Sequence, residues 1–386
     1  MEGKPGSGPP NRFTDAVIAG GGLAGLALSI QLARAGYSVV LFEKEKYPFH
    51  KVCGEYISLE SWNFLEELGL PLSDWKLPVI KRLMVSSPNG RVLSQDLPLG
   101  GFGISRFKLD ACLADIARQA GVCVMEEARV TDIHFQDSLF SVQAAGTVYQ
   151  AKIACGTFGK RSNLDIRWKR KFVEPAPGKL NNYVGVKYHI EISFPQDLIA
   201  LHNFENGYCG ISRIEDNRYC LCYLTTAANL KRCGNSIKKM EEQIVRKNPL
   251  LEEIFSTANF LYGQPLTISQ ISFAKKTQIE DHVLLIGDAA GSITPLCGNG
   301  MSMALHGSKV CFTLIDQFLQ NRITRDQMEQ QYRDTWNRLF GNRLQTGRII
   351  QRFFGNRILT NFLLKIMKPF PKLVTYLIRQ THGDPY

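Results

Sequence analysis

Continuous apolar runs and helical periodicities alternate along this chain. Positions 16–19 form an unbroken apolar run, the pattern of a strand buried on both faces. Leu23, Leu26, Ile30 and Leu32 then recur at helical spacing until Gly36, a helix stop. A second run at 38–42 reads as the next parallel strand. Farther on, 59–68 and 107–120 predict helices, and 79–87 and 91–97 predict strands around a Pro88-Asn89-Gly90 turn. Strands are also expected at 130–135, 139–145 and 148–154. From 164 to 274 the pattern changes to strands at 183–192, 199–204, 208–214 and 219–224, a helix at 236–247 and strands within 261–273, which together suggest a sheet platform with its own helix. A last buried strand at 283–286 precedes a helix at 301–312, and the remainder reads as helical.

The joints between these elements carry the chemistry. Gly20, Gly22 and Gly25 stand in G-x-G-x-x-G spacing between the first strand and the first helix. Gly20 allows the tight turn, Gly22 lets a diphosphate approach the backbone, and Gly25 lets helix and strand pack closely, while the helix N-terminus offers free N–H groups to the anion. The strand at 38–42 ends in Glu43, whose carboxylate accepts from a ribose 2′-hydroxyl and repels a 2′-phosphate. The nucleotide is therefore FAD or NAD rather than NADP. Gly287-Asp288, at the end of the strand 283–286, places a carboxylate in the crevice where open α/β sheets bind ligands, suited to a polyol. Pro295, Gly298 and Gly300 then shape a turn that opens a helix at Met301, with its amides aimed at whatever lies in front.

On these two segments the chain resembles the FAD-dependent monooxygenase and geranylgeranyl-reductase superfamily, with a fold like that of para-hydroxybenzoate hydroxylase. The resemblance runs from about residue 15 to 319. It implies an α/β fold: a Rossmann-like FAD-binding domain of the glutathione-reductase type at 12–77, 101–163 and 275–320, an inserted β-sheet substrate domain at 78–100 and 164–274, and C-terminal helices at 321–386. By the same resemblance Asp288 contacts the ribityl chain and Arg106, in the segment 103–113, reaches the flavin side of the cofactor. Cys155 stands where the family carries an Asp, a departure that bears on nicotinamide docking and not on FAD. The expected cofactor-binding set is Gly20, Gly22, Leu23, Ala24, Gly25, Glu43, Lys44, Lys51, Arg106, Val130, Gly287, Asp288, Pro295, Gly298, Asn299, Gly300 and Met301. The loop 47–55 resembles the geranylgeranyl-reductase and halogenase-like branch, so that Lys51 is a candidate for the pyrophosphate or a substrate anion, and Cys53 for a catalytic thiol facing the ring. His189, on an alternating strand, is a second candidate as a base.

Only one dinucleotide fingerprint is present, so NADPH or NADH is expected to dock transiently as electron donor. The segment 208–213 lacks the Tyr-x-Trp-x-Phe-Pro sequence of the reductase branch, and no Trp-x-Trp of the tryptophan halogenases occurs. Hydroxylation of an apolar or aromatic small molecule is the first expectation and reduction of prenyl or lipid double bonds the second. A flavin-binding electron-transfer module would have no use for the platform at 164–274.

With 386 residues, 44% hydrophobic and 21% charged, the composition is that of a globular chain with sizeable cores, not a fibrous or disordered one. Ten cysteines without C-x-x-C or zinc spacing read as reduced thiols, and no metal is expected. Residues 1–11 read as a flexible leader without a secretory core, and no apolar run approaches the roughly 18 residues of a membrane span, so a cytoplasmic location is expected. The net charge of +11 has a location: 338–379 holds nine Lys or Arg and no acid, with apolar residues such as Ile350, Phe354 and Ile358 at helical spacing. That stretch suits peripheral contact with an anionic membrane, or helices packed on the first domain with a basic outer face. No nucleic-acid-binding module accompanies the charge, and the oligomeric state is left open.

Overall fold

The structure, a computed structural model, describes residues 12–174 and 182–386; the leader expected at 1–11 lies outside the described residues. Strand β1 (Phe13–Ala19) forms on the first apolar run, with Ala16, Val17 and Ile18 fully buried. Gly20 follows at φ +118°, a conformation that L side chains rarely adopt, and helix α1 (Leu23–Arg34) starts from Gly22. Strand β2 (Val39–Phe42) lies parallel to β1, with Ala19 opposite Phe42. The chain then crosses into a second sheet through β3 (Tyr56–Ser58), helix α2 (Trp62–Glu67) and the antiparallel pair β4 (Val79–Ser86) and β5 (Val92–Gly103). It returns by α3 (Arg106–Gln119), β6 (Cys123–Met125), β7 (Val130–Gln136), β8 (Leu139–Ala144) and β9 (Thr147–Gly156).

After α4 (Asn163–Arg167), strands β10 (Tyr183–Glu191), β11 (Leu198–Phe204), β12 (Gly207–Arg213) and β13 (Tyr219–Thr226) extend the second sheet. Helices α5 (Ala227–Arg232), α6 (Ile237–Gln243) and α7 (Pro249–Thr257) follow, then the short strands β14 (Asn259–Phe260) and β15 (Leu266–Ile271), both paired to β10. Strands β16 (Ile279–Glu280) and β17 (Val283–Leu285) rejoin the first sheet, and α8 (Gly300–Leu319), α9 (Arg325–Phe353), α10 (Arg357–Met367) and α11 (Pro371–Arg379) complete the chain.

Among the described residues the first sheet has the order β16-β17-β9-β1-β2-β6, with β7 and β8 beyond β9, and the second runs β14-β10-β13-β12-β11-β4-β5-β3. The β17-β9-β1-β2-β6 core of the first sheet is parallel, and covered strands of that kind carry unbroken apolar runs. The second sheet is mostly antiparallel, with β4 and β11 its parallel pair. Met328, Tyr332, Trp336, Phe340 and Leu344 form one buried stripe along α9, and Tyr332 Oη donates to the Leu285 carbonyl at 2.7 Å, joining that helix to β17. Among the described residues no helix is long and apolar enough to cross a membrane.

Three expectations need correction. Strand β3 belongs to the second sheet although its residues fall inside 12–77, because Tyr56–Ser58 pair with 101–103 of β5, and β5 itself runs through the expected boundary at 100/101. The helix at 236–247 stops at Gln243, and α7 starts afresh where the Asn248 side chain caps Leu250 N–H ahead of Pro249 at the first turn. The helix at 301–312 continues to Leu319, since no Gly or Pro follows Gly307 within it.

Candidate functional site

A cavity of about 1110 Å³ is lined from both sheets. The glycine turn forms one end, and each glycine meets a different constraint. A Cβ on Gly25 would sit 2.1 Å from the Gly20 carbonyl oxygen and 2.6 Å from Thr157 Oγ1, so α1 can lie this close to β1 only with glycine there. A Cβ on Gly22 would meet nothing nearer than 3.8 Å, the Arg106 guanidinium, with the Lys51 ammonium at 3.9 Å. The space in front of Gly22 is thus open and faced by two cations at a helix N-terminus. That donor set fits a diphosphate.

Lys51 and Arg106 are held in place by Asp110, one turn into α3. Arg106 Nε and Nη2 donate to its two carboxylate oxygens at 2.6 and 2.7 Å, and Lys51 Nζ lies 3.1 Å from Asp110 Oδ2. Burial alone would raise the Asp110 carboxyl, yet the two cations outweigh it and keep it below the usual carboxylate range. Arg106 therefore stands beside Gly22. Glu43, at the end of β2, accepts from Gly21 N–H at 3.0 Å and Glu45 N–H at 3.2 Å, with Lys51 Nζ 3.9 Å away. Lys44 borders the cavity, but its ammonium is exposed and pairs with Glu45. Leu23, Ala24 and Val130 also line this end.

The turn after β17 forms the other end. Gly287 has φ +63°, and Asp288 borders the cavity. Two buried cations fix this turn from behind. Lys276 Nζ donates to the Asp288 carbonyl at 2.8 Å, and Arg170 Nη1 donates to the Ala289 carbonyl at 3.0 Å while bound to Asp165. Burial pushes the Lys276 ammonium down to about 8. Pro295, Gly298, Gly300 and Met301 line the wall that leads into α8, and Cys53 Sγ lies 3.6 Å from Met301 Sδ.

Residues 13–162 match the model of an FAD binding domain family. Digeranylgeranylglycerophospholipid reductase 1 of Methanosphaera stadtmanae is 24% identical over 363 residues, covering 86% of this chain and 82% of that protein. Conditioned medium factor receptor 1 of Dictyostelium discoideum is 25% identical over 359 residues, 85% of this chain and 68% of that protein. A solved geranylgeranyl bacteriochlorophyll reductase-like protein of Thermoplasma acidophilum superposes with a TM-score of 0.79 at 16% identity, over 97% of this chain and 96% of that one. The chain thus carries an FAD binding domain and is similar along most of its length to proteins of the geranylgeranyl-reductase kind.

This flavoenzyme is an FAD-dependent oxidoreductase, and NAD(P)H as its donor is consistent with the family. Two of the expected residues turn away from the large cavity. The Asn299 side chain is fully buried and turned from the cavity, donating to Glu60 Oε1, with Arg343 Nη1 3.3 Å from its oxygen. His189 borders a second cavity instead of the first, with Nε2 on Glu55 Oε2 at 2.6 Å. The superfamily's Asp position, Cys155, is fully buried in β9.

Sequence reading missed Glu55, Lys187, Arg170 and Lys276. Glu55 follows the quoted Cys53-Gly54 pair directly and has φ +54°, while Lys187 is a cation inside an apolar strand, fully buried on Glu55 Oε1. A lysine amid the run of β10 was the available signal, since a buried cation needs a paired acid.

Proposed function

We propose that this flavoenzyme reduces carbon–carbon double bonds of a membrane-borne isoprenoid substrate, with NADPH or NADH docking transiently as reductant. The observation that carries this reading is the far end of the large cavity. There Leu201, Tyr208, Leu224 and Ile271 of the second sheet form an apolar wall, and the same four side chains belong to one packed cluster with Leu364 and Met367 of α10 and Val374 of α11. The outer face of those two helices leaves Ile358 80%, Phe362 62% and Phe370 56% exposed, flanked by Lys365, Lys368 and Lys372. An apolar cavity next to an exposed apolar and basic face suits a substrate drawn from an anionic bilayer. The archaeal relative, named as a digeranylgeranylglycerophospholipid reductase, supports the same substrate class.

In this reading the amides around Gly20, Gly22 and Gly25 hold the FAD diphosphate, with Leu23 and Ala24 behind them. Lys51 and Arg106 balance its charge, Glu43 accepts from the ribose, and Lys44 and Val130 border the nucleotide. Asp288 accepts from the polyol beside Gly287. Pro295 and Gly298 shape the turn, and the backbone N–H groups of Asn299, Gly300 and Met301 at the start of α8 are the donors for the ring edge. Held there, FAD would supply the two-electron chemistry that links the nicotinamide to the substrate. Cys53 borders the reacting space, and the sheet wall excludes water from it.

Anaerobic incubation of the yellow holoenzyme with NADPH and vesicles carrying a geranylgeranyl lipid tests this reading. A product gaining one pair of hydrogens per double bond is expected. A product formed only with dioxygen and bearing an added oxygen atom would move the enzyme to hydroxylation. The membrane contact predicts co-sedimentation with anionic vesicles, release by salt, and loss in Phe362→Ser/Phe370→Ser with FAD retained.

A further inference from the structure

A second cavity, about 750 Å³, opens beside His50, Phe107, His189 and Tyr262, and His50 borders both cavities. From it a line of polar atoms runs inward. Tyr262 Oη lies 3.3 Å from His50 Nε2 and 2.6 Å from His189 Nδ1; His189 Nε2 lies 2.6 Å from Glu55 Oε2; and Glu55 borders the large cavity next to Cys53. The inner half is closed to solvent, with the His189 side chain 4% exposed and that of Glu55 fully buried. Lys187 Nζ donates to Glu55 Oε1 and to the Lys51 carbonyl at 3.1 Å, and Arg106 N–H donates to Glu55 Oε1 at 2.8 Å. Cys220 lies close to Glu55 and His189 and donates to the Cys53 carbonyl, while the cation that pairs with Glu55 is Lys187.

We propose that Tyr262, His189 and Glu55 form a relay that carries one proton per turnover from the second cavity to the cofactor cavity. The proposal rests on FAD occupying the large cavity. It does not depend on which acceptor is reduced. Adding NAD(P)H to a double bond transfers a hydride equivalent from the nicotinamide and requires one further proton; with dioxygen as acceptor, NAD(P)H, one proton and dioxygen give NAD(P)⁺ and hydrogen peroxide. In either case that proton comes from solvent. The His189 ring receives it at Nδ1 from Tyr262 and releases another from Nε2 to Glu55, an exchange its two bonds are aligned for.

The charges around Glu55 set the direction. Burial would raise its carboxyl, but Lys187 and the His189 bond outweigh that and keep it below the ordinary value, so a proton arriving there is held only in passing. While Glu55 carries the proton, Lys187 is an uncompensated buried cation. Onward transfer to negative charge arriving in the large cavity restores the pair. His50 is held below its ordinary value by burial and by Lys187 and His189, and burial raises Tyr262 to about 12, so Tyr262 stays a neutral donor and acceptor through the working range. The other titratable groups facing the line are Cys53, Cys220, Cys222 and Arg106 on the inside and Lys108, Glu215, Asp216 and Arg218 at the second cavity.

Tyr262→Phe removes one oxygen and His189→Asn removes the ring. Two readouts test them. In ¹⁵N-histidine NMR of the wild type, the His189 ring nitrogens should respond across the pH range in which His50 titrates, and Tyr262→Phe should abolish that response; an unchanged response would overturn the relay. This readout needs no cofactor, whereas the flavin absorbance of the wild type separately decides whether FAD binds. In holoenzyme reduced with NADPH and mixed with dioxygen, both variants should reoxidise about 100-fold more slowly. Their solvent deuterium isotope effect should be larger, and imidazole, small enough for the second cavity, should restore part of the His189→Asn rate. Wild-type rates, isotope effects and pH profiles in both variants at full FAD occupancy would contradict the proposal.

Discussion

The glycine turn at Gly20–Gly25 and the Glu55–Lys187–His189 cluster, which reaches the same cavity through Glu55, are built by opposite means. The turn uses backbone, from residues a few positions apart, and its selectivity comes from where side chains are missing. The cluster uses side chains brought together over 132 and 134 residues, and its stability depends on every charge having a partner. A backbone site tolerates changes around it provided the glycines stay. A side-chain cluster tolerates loss of a whole pair better than loss of one member.

The largest effect should come from breaking that pair. Lys187→Met leaves the Glu55 carboxylate buried without its cation and should cost about 3–5 kcal/mol in urea unfolding, with much of the loss recovered in Lys187→Met/Glu55→Gln. A single-variant loss close to zero would mean that the cluster is not a charged pair. The turn gives the next contrast. Gly25→Ala drives a methyl into the Gly20 carbonyl and should cost about 3 kcal/mol, whereas Gly22→Ala should leave the apo fold within about 0.5 kcal/mol of wild type and still lose FAD. Equal losses of stability in the two variants would erase the distinction between packing and cradle glycines.

That contrast explains what sequence disclosed. The turn was legible because strand, glycines, helix and Glu43 occur in chain order, each with a local pattern. Asp288 was legible for the same reason, at the end of a short apolar strand. His189 was singled out as a base, but its bonds to Tyr262 and Glu55 were not, since alternation identifies the face of a strand and not what lies across from it. Where the Asn299 side chain goes was not legible, because its partner Glu60 is 239 residues away. Glu55 and Lys187 each look like ordinary charges until β10 is laid beside the loop after β2.

A smaller effect, on pH dependence, comes from a buried histidine of the second sheet that, unlike His189, has no acid partner among the described residues. His202, in β11 of the second sheet, accepts or donates at Ser86 Oγ, 2.9 Å away, and burial lowers it from 6.5 to about 4. Its folded value lies below its unfolded one, so its contribution is complete above pH 6.5 and is lost as pH falls through 4. Roughly 2–3 kcal/mol should disappear across that window. In His202→Asn the unfolding free energy should fall less steeply between those pH values; an unchanged slope would remove His202 as the cause.

In the proposed arrangement FAD spans the large cavity from the Gly22 turn to the Asp288 turn, with its ring next to Cys53 and Glu55. A crystal structure of the FAD-loaded enzyme tests it most directly. The diphosphate is expected on the amides at Gly22 between Lys51 and Arg106, the ribityl chain at Asp288, and the ring between Cys53 and the start of α8. Density for FAD in another cleft, or in this cavity with the diphosphate away from Gly22, would contradict it.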